Sequence, residues 1–88
     1  MRIHLVVSGR VQGVGFRYFC AREAERQGIT GFARNTNDGS VEIEAQGDEA
    51  SLVQFVQAVT RGPRAAQVTN VVREERETQP GEIDFSVG

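Results

Sequence analysis

A glycine-rich segment with an arginine at its end is the part of this sequence best suited to chemistry. Residues 9–17 read Gly-Arg-Val-Gln-Gly-Val-Gly-Phe-Arg and follow a short apolar run. Glycines let the backbone curl so that successive N–H groups point into one concavity, and such a nest beside a helix start binds anions. The guanidinium of Arg17 would add a full positive charge and a forked donor for phosphate. From glycine content alone, a tight turn beside a solvated arginine explains the segment equally well.

The spacing of this segment does not fit the two familiar nucleotide-binding loops. A P-loop needs glycine, four residues and then Gly-Lys before Ser or Thr, but the fifth residue after Gly9 is Val14 and lysine is absent. The dinucleotide pattern G-x-G-x-x-G also fails, because Tyr18 stands where the third glycine would follow Gly13 and Gly15. The segment therefore predicts a site of phosphate size without a nucleotide-binding pattern.

Hydrophobic periodicity predicts the elements that would position this loop. Apolar alternation indicates strands, and apolar residues three or four apart indicate helices. The expected elements are strand 3–8, helix 16–27, strand 29–36, strand 41–46, helix 49–61, strand 68–76 and a short strand 83–87. This order predicts an α+β fold, the ferredoxin-like split β-α-β sandwich, with an antiparallel sheet and two helices on one face (βαββαβ plus a short terminal strand).

Turn and capping residues mark the ends of these elements. Gly28 is a stop signal for the first helix, and Asp48 is a good N-cap for the second, which ends at Gly-Pro in residues 62–63. Asp-Gly within residues 37–40 predicts a hairpin turn. Alternation is disturbed at residues 71–72, which predicts a β-bulge there.

Two segments of the sequence resemble the acylphosphatase family. Residues 9–17 match the phosphate-loop signature of that family, Gly-Arg/Lys-Val-Gln-Gly-Val-x-Phe-Arg, at every fixed position. Residues 31–35 and 37–42 resemble its second motif, in which a glycine begins a strand and an asparagine ends the pattern before a hairpin. The resemblance extends over essentially the whole sequence, so it implies one acylphosphatase-like domain over residues 1–88.

The resemblance implies an acylphosphatase, a hydrolase that cleaves acyl phosphates to a carboxylate and inorganic phosphate by in-line attack of water. Arg17 would hold the phosphoryl group and Asn35 would orient the water. The loop residues whose backbone would also bind the phosphate are Val11, Gln12, Gly13, Val14, Gly15 and Phe16.

The implied chemistry needs neither a metal nor a cofactor. An acyl phosphate already carries a good carboxylate leaving group, so catalysis rests on charge stabilisation and a positioned water. The matched residues include no general base, and we therefore expect the substrate's own phosphate to accept the proton of the water.

Other reactive side chains are expected to be structural. His4 is the only histidine and falls in the first strand, on the polar face or near the edge of the sheet, so it is read as structural or solvated. Cys20 falls on the apolar face of the first helix, where a small core filler is expected. Glu42 and Glu44 alternate with apolar residues and are expected to be a solvated strand face.

Charge and composition narrow the classes of partner. The net charge is −2 and the isoelectric point is about 5.3, which disfavours binding to nucleic acid or to an anionic membrane. All ten basic residues are arginine; Arg10 and Arg34 could extend the positive field of the loop or be solvated charges. No apolar run is long enough to cross a membrane.

One cysteine can form neither an internal disulfide nor the cysteine pair of a metal chaperone. RNA-binding domains of the same fold stack bases on strand aromatics, whereas strand 41–46 alternates small apolar and acidic residues. We therefore expect a cytoplasmic monomer whose partner is a small acyl phosphate. The alternative is a non-catalytic anion-binding or regulatory domain on the same fold.

Overall fold

A computed structural model describes all of residues 1–88 and contains the seven expected elements. They are β1 (Arg2–Arg10), α1 (Phe16–Gln27), β2 (Thr30–Asn35), β3 (Val41–Gln46), α2 (Glu49–Arg61), β4 (Gln67–Arg76) and β5 (Phe85–Val87). Neither helix has the length and apolarity that crossing a membrane would require.

The strands form one sheet in the order β4-β1-β3-β2-β5. β3 is antiparallel to both β1 and β2, so β1 and β2 are parallel strands joined by α1 with β3 between them. This arrangement is a split βαβ unit, and the ferredoxin-like α+β fold is confirmed. The antiparallel pattern holds for β1 to β4, whereas β5 is parallel to β2 and makes the sheet mixed.

The first helix has the bounds that its apolar pattern predicts. Phe16, Cys20 and Ala24, four residues apart, are all buried and face the sheet. Gly28 then adopts a left-handed conformation, with φ of 68°, and its N–H donates to carbonyls of the last turn. This C-cap ends the helix where glycine carries no steric cost.

The second helix begins at a side-chain cap. The carboxylate of Asp48 accepts a hydrogen bond of 2.8 Å from the backbone N–H of Ser51. The buried residues Leu52, Phe55 and Val59 form the stripe that packs on the sheet. Capping and burial together define this helix.

The core lies between the helices and one face of the sheet. Alternate residues of β1 and β3 form the part of the core that the sheet contributes, because successive side chains of a strand point to opposite faces. These fully buried residues are Ile3, Leu5, Val7, Val41, Ile43 and Ala45. Each helix contributes a stripe of its own to the same cluster.

The predicted bulge at residues 71–72 is wrong, because both of those residues pair in register with β1. The register shifts further along, between Ser8 and Gly9 of β1. There the two backbones approach so closely that a Cβ on Gly9 would lie 2.1 Å from the carbonyl oxygen of Gln67. The irregularity therefore lies beside a glycine of β1, at the end of the strand that leads into the loop.

The last strand is shorter than expected. The alternation of residues 83–87 predicted a strand that includes Ile83, but the strand begins at Phe85 and the side chain of Ile83 is 88% exposed. Phe85 packs on Phe55, with ring centroids 5.9 Å apart. This contact fixes β5 against the second helix.

The outer face of the sheet carries ion pairs between strands. Arg2 Nε lies 2.7 Å from Glu44, and its Nη1 lies 2.8 Å from Glu82. Only 3% of the Arg2 side chain is exposed. The expectation that Glu44 is simply solvated is wrong, since it pairs with a buried guanidinium.

Glu42 lies at the centre of a second group on that face. One carboxylate oxygen is 2.7 Å from His4 Nε2 and the other is 2.6 Å from Arg34 Nε. The Arg34 guanidinium also lies over the ring of Phe32, 5.4 Å from its centroid. His4 is thus structural and nearly buried, and Glu42 is not simply solvated.

The pairing of Glu42 predicts a component of acid sensitivity. His4 and then Arg34 hold the pKa of Glu42 below its usual range. Ionised Glu42 therefore stabilises the folded chain at neutral pH, and this contribution is lost as the pH falls through the folded pKa. We expect Glu42→Gln to lower the free energy of unfolding by about 1–2 kcal/mol at pH 7.

Urea unfolding at a series of pH values checks this expectation. The gap between the wild-type chain and the variant should narrow as the pH falls from about 5 through the lowered pKa of Glu42. Glu77→Gln removes a carboxylate from an exposed residue and serves as the control. A gap of constant size over that range would show that the charge of Glu42 is not the cause.

Candidate active site

The loop between β1 and α1 has the backbone of an anion-binding nest. Gly13 and Gly15 both have φ of 76°, and no residue other than glycine has a positive φ anywhere in the chain. The sign of φ therefore alternates from Gln12 through Phe16. This alternation turns successive N–H groups toward one side of the loop.

The loop is held at both ends and open in the middle. Val11 before it and Phe16 after it are each 1% exposed and belong to the core. A Cβ placed on Gly13 or Gly15 would meet no atom within 4 Å. These glycines are therefore required for the left-handed backbone, not for close packing.

The start of α1 adds unpaired donors to the nest. Its N-cap residue, Gly15, has no side chain to cap the helix, and the first turn contains no acidic residue. The first helical hydrogen bond runs from the N–H of Phe19 to the carbonyl of Gly15. The N–H groups of residues 16–18 and the positive end of the helix dipole are left for an anion.

Arg17 is positioned by the end of the chain and by β2. Its Nη1 donates a hydrogen bond to the carbonyl oxygen of Gly88. The N–H of Gly88 in turn donates to the carbonyl of Ala33 at 2.9 Å. A guanidinium has five N–H donors, so this contact orients Arg17 and leaves donors for a ligand.

Asn35 is exposed and is the last residue of β2, where it pairs with Val41 of β3. Since Gly88 ties Arg17 to Ala33, two residues earlier on the same strand, Arg17 and Asn35 belong to one end of the sheet. The structure thus brings both predicted side chains to the end at which the loop lies.

The other two arginines considered for the site lie elsewhere. Arg34 points to the outer face, where Glu42 holds it. Arg10 is exposed at the end of β1, opposite Gln67 of β4. Of these three arginines, Arg17 is the one in the first turn of α1, directly after the loop.

The side chain of Gln12 makes two hydrogen bonds, although the sequence predicted a role only for its backbone. Gln12 Nε2 lies 2.8 Å from the carbonyl oxygen of Thr36 and 2.8 Å from that of Ser40. The glycine-rich loop is therefore bonded to the β2–β3 turn, which begins directly after Asn35. No short-range pattern marks this contact, because residues 12 and 36 are far apart in the sequence.

The β2–β3 turn is itself closed by Asp38. Its carboxylate accepts hydrogen bonds from the hydroxyl of Thr36 and, at 3.1 Å, from the N–H of Ser40. The Thr36 hydroxyl and then the Ser40 N–H lower the pKa of Asp38. An ionised Asp38 keeps the turn in the form that Gln12 binds.

The remaining nucleophile is unsuited to attack. Cys20 is fully buried in the core, and burial raises the pKa of its thiol to about 12. The thiolate that would act as a nucleophile is therefore absent at neutral pH. This agrees with the sequence-based interpretation of Cys20 as a core filler.

The one sizeable groove of the protein lies along α1, and no residue of the loop lines it. It has a volume of about 620 Å³ and runs along α1 between Tyr18 and residues 83–85. Neither Arg17 nor Asn35 lines it. The groove is therefore not part of the candidate site.

A split βαβ sheet with a glycine nest at its first loop defines a class of small α+β domains. Comparison with known proteins narrows that class. The sequence profile of the acylphosphatase family matches residues 3–87. The chain belongs to the acylphosphatase family, as residues 9–17 predicted.

Individual relatives match this chain over nearly its full length. The chain is 52% identical to the acylphosphatase of Thermotoga petrophila over 81 residues, 92% of this chain and 89% of the relative. It is 43% identical to that of Geobacillus thermodenitrificans over 86 residues, 98% and 92% of the two chains. The crystal structure of acylphosphatase from Bacillus subtilis matches with a TM-score of 0.94 and 41% identity, covering 99% of this chain and 97% of that one.

Proposed function

We propose that Arg17 and the loop hold the phosphoryl group while Asn35 places the attacking water, so that the chain hydrolyses acyl phosphates. The products are a carboxylate and inorganic phosphate. This is the reaction of a hydrolase acting on acid anhydrides, the activity for which the family is named. The observation that supports the proposal is that β1 and β2 end on the same side of the sheet, so that the nest, the first turn of α1 and the last residue of β2 lie at one end.

The phosphoryl oxygens would lie over the nest. The alternating φ of the loop would turn backbone N–H groups toward them, and the start of α1 would add its dipole. Arg17 supplies the full positive charge that the nest lacks. Donors held in place before the reaction stabilise charge on the equatorial oxygens without reorganising.

The water would be held by the side-chain amide of Asn35. An amide can accept one proton of a water in a hydrogen bond and so orient its lone pair, but it is too weak a base to remove that proton. Orientation is sufficient here because the leaving carboxylate departs readily. In-line attack on phosphorus then forms the new P–O bond as the P–O bond to the acyl group breaks.

The proton of the water would pass to the phosphate of the substrate. The two carboxylates that follow Asn35 most closely are engaged: Asp38 in the turn and Glu42 with His4 and Arg34. These contacts lower the pKa of both, which makes them weaker bases than ordinary carboxylates. A pKa near neutrality in kcat that moved when one side chain was changed would contradict this assignment.

We also propose that residues 1–88 act as one domain, as a monomer in the cytoplasm, with a small acyl phosphate as partner and without nucleic acid. One core of 15 buried residues joins both helices to the sheet and supports the single domain. A net charge of −2 supports the exclusion of nucleic acid. The lone Cys20 is consistent with a reducing compartment.

Hydrolysis of benzoyl phosphate in the presence of EDTA and of ¹⁸O-labelled water tests the function. We expect turnover, with the label in inorganic phosphate and not in benzoate, because the water attacks phosphorus. Label in benzoate would contradict attack on phosphorus, and loss of activity in EDTA would contradict metal independence. A folded chain that binds inorganic phosphate but shows no turnover would instead support the alternative, an anion-binding domain.

A further inference from the structure

The side chain of Gln12 joins two segments whose relative position must be fixed for the proposed reaction. One segment is the phosphate loop, to which Gln12 belongs, and the other is the turn of residues 36–40. Both partners are carbonyl oxygens, so the NH2 group of the amide must face them, and each of its two protons goes to one carbonyl. The two bonds are equal in length, at 2.8 Å.

We propose that Gln12 is a positioning residue that fixes Asn35 relative to the phosphoryl group. This proposal rests on the proposed function, because it assigns Gln12 an effect on the water that Asn35 holds. Thr36, whose carbonyl Gln12 binds, is the residue directly after Asn35. A bond at this carbonyl therefore restrains the peptide unit between Thr36 and Asn37, one residue beyond the proposed water-holding residue.

The need for such a restraint follows from the backbone on either side. The loop consists of residues with alternating φ around two glycines, which have more conformational freedom than other residues. Asn35 lies at a strand end, where the ladder with β3 stops at Val41. Water and phosphoryl group are thus held by different segments, and a misplacement of about 1 Å costs on the order of a hundredfold in rate.

Direct contact between Gln12 and the substrate is disfavoured by the same geometry. Both N–H donors of the amide are committed to carbonyls, so only its oxygen remains, and an oxygen acceptor repels a phosphate. Gln12 therefore acts through Asn35 and leaves phosphate binding to the backbone and Arg17. We therefore expect that substituting Gln12 lowers kcat but has little effect on the binding of inorganic phosphate.

Gln12→Met tests the proposal, since methionine has a similar length but no donor. We expect kcat for benzoyl phosphate to fall roughly tenfold to a hundredfold. The inhibition constant for inorganic phosphate should change less than about threefold, because the loop amides and Arg17 are retained. An unchanged kcat in the folded variant would overturn the proposal, and so would an inhibition constant that rises as much as kcat falls.

Gln46→Met is the matched control. Gln46 also joins two distant segments, through bonds of 3.1 Å and 2.7 Å to the backbone of Gln79, but at the opposite end of β3 from Val41. We expect it to leave kcat within about twofold, since it is remote from the proposed site. Should Gln12→Met fail to fold, Gln12→Asn keeps an amide that is too short to reach both carbonyls and should show the same split between kcat and phosphate inhibition.

A double substitution decides whether Gln12 acts through Asn35. In the background of Asn35→Ala there is no held water to misplace, so Gln12→Met should cost less than about twofold further. A full additional loss in that background would overturn the proposal. Failure of the proposed function itself would look different, because the wild-type chain would then show no turnover at all.

Discussion

Replacing Arg17 by alanine lowers kcat/KM for benzoyl phosphate by on the order of a hundredfold or more, as expected for the loss of a charged donor to the phosphoryl oxygens. The loop amides remain, but they carry only partial charges. Inhibition by inorganic phosphate weakens too, since Arg17 binds the phosphoryl group in the ground state as well as in the transition state. Steady-state kinetics with EDTA present, for the wild-type chain and the variant, measure both effects.

Two further variants separate the roles of charge and shape. Arg17→Lys keeps the charge but not the planar fork, so we expect it to recover only part of the loss. Arg22→Ala changes the net charge by the same amount at an exposed position of the same helix and should alter kcat/KM by less than about twofold. A loss for Arg22→Ala as large as that for Arg17→Ala would show that the general field of the protein, and not the contact, is responsible.

Folding must be monitored in the Arg17 variant, because Arg17 also contacts Gly88. That contact is exposed, and we expect its removal to cost no more than about 1 kcal/mol of stability. Thermal unfolding of the variant, compared with the wild-type chain, checks that the lost activity does not reflect an unfolded protein.

Elements set by neighbouring residues could be predicted from the sequence. The bounds of α1 follow from the apolar stripe beginning at Phe16 and from Gly28 at its end. The start of α2 follows from Asp48, and the β2–β3 turn follows from Asp-Gly in residues 37–40. Each of these signals acts over a few residues, which is the range that a single sequence reports.

Features set by pairing between distant strands could not be predicted. The register shift beside Gly9 depends on how closely β4 approaches it, and the parallel direction of β5 depends on where the chain returns to β2. The ion pair of Glu42 with His4 and Arg34 needs three strands in register. An alternating pattern shows which face Glu42 occupies but not which side chains it meets there.

The same distinction applies to the candidate site. The nest was predicted because its glycines and Arg17 lie within one short segment. The link from Gln12 to the turn and the contact of Arg17 with Gly88 were missed, because each joins residues far apart in the sequence. The sequence thus indicated which residues we propose for the chemistry, and the structure adds the contacts that Gln12 and Arg17 make with distant segments.

Asn35→Ala should lower kcat by on the order of a hundredfold while leaving the inhibition constant for inorganic phosphate nearly unchanged. The phosphoryl group would still be held by the loop and Arg17, but the water would lose the group that orients it. This pattern is opposite to that of Arg17→Ala, in which binding and turnover fail together. Kinetics of the two variants under the same conditions, with phosphate as competitive inhibitor, compare them directly.

Asn70→Ala controls for the loss of an exposed strand asparagine, since Asn70 lies on the edge strand β4, which β1 and β3 separate from β2. It should leave kcat and the phosphate inhibition constant within about twofold of the wild-type values. If Asn35→Ala raised the inhibition constant as much as it lowered kcat, Asn35 would be a phosphate ligand and the water would need another holder. Comparing the change in kcat with the change in the phosphate inhibition constant therefore decides between the two roles of Asn35. A change in kcat alone means that the loop holds the phosphoryl group while the end of β2 holds the water.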